Sequence, residues 1–222
     1  NDASGTGIGS IDSAGSVSTT SGFSIVKWTG TGATGTIAHG LGAVPRMIIV
    51  KSLANTTTWM VQHASIGNAK EIYLNNNSGA GNSTAWNSTT PTSTVFSVTG
   101  GAGDGVNASG DYIAYCFSDV QGFSKFSSYI GNGNADGTFI YTGFKPAWIM
   151  IKSATTAESW MLFDNKRLGF NPDNDYLLAN NTDAEPADEE VLDIVSNGFK
   201  PRVTAGTLNT SGQTYIYMAF AE

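Results

Sequence analysis

The string GFSKFSSYIGNGNADGTFIYTGFKPAWIMIKS, Gly122–Ser153, repeats one that opens 100 residues earlier as GFSIVKWTGTGATGTIAHGLGAVPRMIIVKS, Gly22–Ser52. Both begin Gly-Phe-Ser, pass through a glycine loop and close on a Pro…Ile…Lys-Ser pattern once small gaps are allowed. Farther along, TTTWMVQHASIG lies over AESWMLFDNKRLG, with Trp59 over Trp160 and Met60 over Met161. EIYLNNNSG then lies over DYLLANNTD, and NASGDYIAYCFSD over NTSGQTYIYMAFAE. The chain therefore reads as a tandem duplication over 22–121 and 122–222, preceded by a Gly/Ser/Thr-rich linker or arm over 1–21.

Working outward from the loop, GTGATG (Gly30–Gly35) has the glycine spacing of a dinucleotide-binding fingerprint and follows an apolar run, FSIVKW. That fingerprint needs a helix opening at the third glycine, so that its amides face a pyrophosphate. The next residues are TIAHGLGAVPRMIIV, where Gly40, Gly42 and Pro45 interrupt any helix. In the second copy the loop becomes GNGNADG and its spacing slips by one residue. A phosphate cradle would not survive the slip, whereas a turn between strands tolerates it. The glycines are read as hairpin punctuation.

Seven strand candidates fall in the first copy: GFSIVKW, GTIAHG, RMIIVK, TWMVQH, EIYL, TVFSV and DYIAYCF. Short alternating strands joined by Gly/Asn/Ser loops predict an all-β chain, each repeat a β-sandwich of jelly-roll or lectin-like type. EPADEEVLDIVSNGF is read as an acidic loop followed by a strand, with a short helix as the alternative.

Charged residues make up only 13% of the 222, and the net charge is −7. The eleven Lys and Arg are scattered, so no basic stripe for nucleic acid exists. No apolar run reaches membrane-spanning length. Cys116 is the sole cysteine and reads as a buried, inert thiol. Opening on Asn1 rather than Met, the sequence reads as a portion of something longer. The first copy is electrically neutral and the second carries −5, so alike cores are expected beneath different surfaces.

Chemistry is sparse. His39 and His63 lack counterparts in the second copy, and no Gly-x-Ser-x-Gly elbow accompanies them. Two histidines and one cysteine fall short of a zinc site. A glycosidase would need paired carboxylates, for which Asp173, Asp175, Asp183, Glu185, Asp188, Glu189 and Glu190 are the candidates. Asp173 and Asp175 in NPDNDYLL are also weak calcium candidates, without the spacing of an EF-hand. A solvated acidic loop is the better reading of both, and no cofactor is expected. Trp59 and Trp160 recur and belong to the core. Trp86, in the polar run STAWNSTTPTS, is the candidate for stacking on a sugar face, with a buried loop anchor as its alternative.

The paired strings IAHGLG…PRMIIVK, YTGFKPAWIMIKS and the closing TYIYMAFAE resemble a repeat family of virion structural and tail-fibre-like proteins of marine bacteriophages, over residues 22–222. The resemblance implies a β-rich, non-enzymatic domain of a phage particle: a tail fibre, spike or capsid decoration facing the host. It implies a homo-oligomer, a trimer by class, contacts with other virion proteins, and host surface polysaccharide as ligand. The alternative is a lectin-like carbohydrate-binding module of a bacterial secreted protein.

Overall fold

The computed structural model describes residues 7–101, 106–167, 171, 175–186, 190–204 and 206–222. The chain is all-β, 43% strand and 3% helical, built from antiparallel sheets. It divides into unit 1, Asn1–Tyr73 with Ala80–Asp119, and unit 2, Leu74–Gly79 with Val120–Glu222.

Unit 1 contains β1 (Ser13–Ser18), β2 (Phe23–Gly30), β3 (Gly35–Ala38), β4 (Met47–Ser52), β5 (Met60–His63), β6 (Lys70–Tyr73), β7 (Gly81–Asn82), β8 (Val95–Val98) and β9 (Gly110–Phe117). The seven strands read from sequence are β2 to β6, β8 and β9. They form a seven-stranded sheet in the order β1-β2-β9-β4-β5-β6-β7 and a two-stranded sheet, β3-β8. Val26, Trp28, Ile48 and Tyr112 of the wide sheet share one core with Ile37 and Phe96 of the narrow one. Alternation along each strand sends these side chains inward.

Unit 2 contains β10 (Ser124–Ile130), β11 (Ile140–Tyr141), β12 (Pro146–Ser153), β13 (Met161–Asp164), β14 (Leu177–Leu178), β15 (Leu192–Val195), β16 (Gly198–Pro201), a single helical turn α1 (Gly206–Asn209) and β17 (Thr214–Ala221). Its sheets run β10-β17-β12-β13-β14 and β11-β16-β15. The first order matches β2-β9-β4-β5-β6 position for position. The cores match as well. Trp28 stacks on Tyr112 at 5.5 Å and meets Phe96 edge-on, and Tyr129 stacks on Tyr215 at 5.1 Å and meets Phe199 edge-on. The acidic run before β15 ends in a strand, as read; Asp188 and Glu189 lie outside the described residues.

Two readings need correction. Of the linker or arm expected over 1–21, the described part is not a free linker: Ile11 is buried and bridges Ile37, and β1 pairs with β2 from Ser13↔Trp28 to Ser18↔Phe23. Its small residues mask the strand because Gly15 must be small: a Cβ there would lie 2.3 Å from Ile25 O. The loop Gly30–Gly35 is likewise no hairpin, since β2 and β3 belong to different sheets. It wraps a fully buried side chain, Asn107. Asn107 Oδ1 accepts from Trp28 Nε1 at 3.1 Å, and its Nδ2 donates to Thr31 Oγ1 and Ala33 O. Asn209, also fully buried, does the same for the second glycine loop, accepting from Asn132 N and donating to Asn132 Oδ1 and Asn134 O.

Unit 2 also buries a cation. Lys152 is fully buried, and its ammonium donates to the carbonyls of Ser153 (2.7 Å), Asn77 (3.3 Å) and Thr156 (3.5 Å). Desolvation lowers its pKa to about 8 against a partial opposing pull from Glu158.

Asn107→Ala leaves the Trp28 indole N–H and the loop without their partners, and is expected to cost about 2–3 kcal/mol in urea unfolding. For Lys152, the unfolded chain keeps a proton between pH 8 and 10.5 that the folded chain has released. Stability therefore rises with pH across that window, and denaturation of Lys152→Met on either side of it is expected to lack that rise.

Candidate binding site

In β6 a period of two puts Glu71 and Tyr73 on one face, and Tyr73, opposite Met60, packs against the core of unit 1. Glu71 is 9% exposed. Tyr73 Oη donates to its Oε1 and Ser83 Oγ to its Oε2. Ser83 is held by its own N–H on Ala69 O (2.9 Å) and accepts at Oγ from Ala85 N (3.0 Å). Alongside, Gln62 Nε2 donates to Asn68 Oδ1 and Asn68 Nδ2 to Thr90 Oγ1.

Above this network the chain turns sharply. Asn87 and Ser88 both occupy the left-handed region, at φ 51° and 46°, a conformation that costs energy outside glycine and gathers at functional sites. Bonds from Asn87 N to Thr84 O and from Thr89 N to Trp86 O hold the turn. An open groove of about 440 Å³ lies between these segments, lined by Ala69, Asn82, Ser83, Thr84 and Ser88. The wall is uncharged, rich in hydroxyl and amide groups, and Glu71 orients one hydroxyl from behind. Such a surface suits a polyhydroxylated ligand, which offers donors and acceptors together.

Trp86 does not serve as a stacking platform. It is 2% exposed and joins Ala85 in the core, so its ring anchors the loop from below. Its Nε1 is buried without a hydrogen-bond partner among the described residues. Asp175 is half-buried with Oδ1 unpartnered there, while Asp173 lies outside the described residues. Among the described residues no three His, Cys, Asp or Glu side chains converge, so no cation site is assembled around Asp175. Glu185 is paired with Arg167, and Asp183 accepts from Asn181. Among the described residues, Glu185 and Asp183 thus turn to different partners.

Both histidines hold backbone. His63 Nδ1 accepts from Ser65 N at a 3-10 turn, Ala64–Ile66. His39 Nδ1 accepts from Leu41 N, so the proton sits on Nε2 and is donated to Thr92 O at 3.2 Å. Burial pushes the His39 pKa down, the bond to Thr92 opposing. Cys116 is fully buried, and desolvation pushes its thiol up to about 12.

Glu71 does not stand out in the sequence because EIYL aligns with DYLL, which sets Glu71 against another acid, Asp175. The strand registers are Met60↔Tyr73 and Met161↔Leu178, which places Tyr176 opposite Glu71 instead. A slip of one residue exchanges the two faces of a strand. Tyr176 packs on Phe163 in the second core, so the carboxylate belongs to unit 1 alone.

Because the unfolded chain takes up a proton at His39 first, stability is expected to fall as pH drops below 6.5, the ordinary histidine value. Urea midpoints followed through that range should flatten in His39→Gln.

No curated protein and no solved structure matches this chain. Over its whole length, residues 1–222, it matches the family described as a domain of unknown function, DUF7483, and it belongs to that family.

Proposed function

We propose that the chain is a duplicated two-sheet module, each copy a β-sandwich, acting as a non-enzymatic structural part of a phage virion that contacts host surface glycans at the particle surface. One observation carries the glycan contact: the uncharged, hydroxyl-lined groove beside Ser83, with Glu71 fixing that hydroxyl from behind. Matching strand orders in the two units and the sequence resemblance support the scaffold role. The second reading is a lectin-like module of a bacterial secreted protein, which the same groove would serve.

Glycan-array screening followed by calorimetry tests the contact. Binding is expected to weaken about tenfold in Ser83→Ala, the loss of about 1.4 kcal/mol from one hydrogen-bonding group. Trp86→Phe, which keeps the loop anchor, should bind as the parent does. Absence of binding by the folded chain, or an unaffected Ser83→Ala, would exclude the groove. Tight binding by an isolated monomer would favour the lectin-like reading over the virion one.

A further inference from the structure

The buried lysine of unit 2 has a counterpart. Lys51 and Lys152 each precede a serine whose hydroxyl accepts from the backbone N–H three residues on: Asn55 N to Ser52 Oγ and Thr156 N to Ser153 Oγ, both at 3.1 Å. Each ammonium donates to that serine's carbonyl at 2.7 Å and to the carbonyl of the residue four places on, Asn55 or Thr156. The two platforms are the same construction. They differ in what covers them.

Over Lys152 lies Leu74–Gly79, which belongs to unit 2 although its flanks, Tyr73 and Ala80, belong to unit 1. Asn77 supplies the third carbonyl, and Gly79 comes so close to the Thr155 backbone that a Cβ would stand 3.1 Å from its carbonyl oxygen. The segment is shaped by an Asx turn, Ser78 N donating to Asn76 Oδ1 at 2.9 Å. Lys51, by contrast, is half-buried and reaches two carbonyls, and residues 53–56 beside it are exposed, Leu53 at 55%.

The covering segment also has a counterpart. With Tyr73 and Leu178 equivalent by register, Asn76–Ser78 correspond to Asn181–Asp183. There the Asx turn recurs, Asp183 N donating to Asn181 Oδ1 at 2.8 Å, and Asn181, Thr182 and Asp183 are all exposed. Among the described residues, unit 2 thus carries a shaped, exposed strap that meets no lysine platform, and unit 1 carries a platform whose ammonium meets no third carbonyl.

We propose that the Lys51 platform of one copy of this chain takes the Asn181–Asp183 turn of a second copy, the Thr182 carbonyl facing the Lys51 ammonium as the Asn77 carbonyl faces Lys152. The contact joins unlike surfaces, so it is heterologous: it runs head to tail as an open chain, or closes into a ring where the rotation permits. Asp183, where the covering segment has Ser78, adds a negative charge near that ammonium. Ala184 stands where Gly79 does, a contact that a shift of a few tenths of an ångström accommodates. The inference rests on the two platforms and is independent of the glycan reading.

Sedimentation velocity of the full chain over a concentration series tests it. The parent is expected to form oligomers whose population rises with concentration. Lys51→Met, which keeps the stem and loses the ammonium, and Asn181→Ala, which loses the Asx turn, should each weaken association at least tenfold. Mixing the two variants should restore dimers and nothing larger, because one intact platform then meets one intact strap. Asn181 is exposed, so Asn181→Ala reports even if Lys51→Met unfolds, and thermal melts separate the cases. A parent that stays monomeric to its solubility limit, or association unmoved by Asn181→Ala, would overturn the proposal.

Discussion

A side-chain amide enclosed by backbone is the constraint on which each unit depends. Asn107 and Asn209 are fully buried, and each side-chain amide oxygen and nitrogen bonds the glycine loop at the end of the neighbouring strand, with further bonds to the Trp28 indole and to Val203 O. An amide can be buried at little net cost only when its donors and acceptors are all met. The loop must therefore fold around it, and the backbone must come very near: a Cβ on Gly30 would lie 1.7 Å from Ala108 O, and one on Gly131 2.3 Å from Thr210 O. In unit 1 the same amide fixes the Trp28 indole, and the indole sets the stack on Tyr112 and the edge contact with Phe96 that join the two sheets. The glycine spacing that resembles a phosphate cradle is thus a cradle for an asparagine.

Once that scaffold is closed twice, the copies are free to differ elsewhere. Where unit 1 has Glu71 on the inner face of β6, unit 2 has Tyr176 and an apolar contact with Phe163. Where unit 2 buries Lys152 beneath a strap, unit 1 leaves Lys51 at the surface. A buried ammonium with no carboxylate at ion-pair distance among the described residues is held by three carbonyl dipoles that replace part of its hydration, and the desolvation that remains lowers its pKa. In both copies the Lys-Ser pair makes the same two ammonium-to-carbonyl bonds, which hold the loop after it whether or not a strap lies over it.

The strands were legible because period-two alternation and glycine punctuation are local properties, and DYIAYCF or TYIYMAF carries them in a few residues. β1 was not, because the close approach of β2 demands Gly15 and leaves SAGSVS looking like a linker. Trp86 misled for a related reason. Its Ser, Thr and Asn neighbours are turn formers facing outward, while the ring itself points into the core, and composition averages the two. Glu71 was hidden by register, which is set by long-range pairing with β5 that no window of sequence contains.

The asymmetry between the copies bears on how a module of this kind could act. A groove that is open and uncharged engages a sugar through a few hydrogen bonds exchanged with water, so its intrinsic affinity is modest. Affinity of that order becomes useful when many grooves are held at fixed spacing, since each further contact is then made at high effective concentration. Under the head-to-tail contact proposed above, every added copy would bring one further groove. A duplicated scaffold permits this asymmetry, since a change at Glu71 or at Asn181 leaves both asparagine-centred cores as they were.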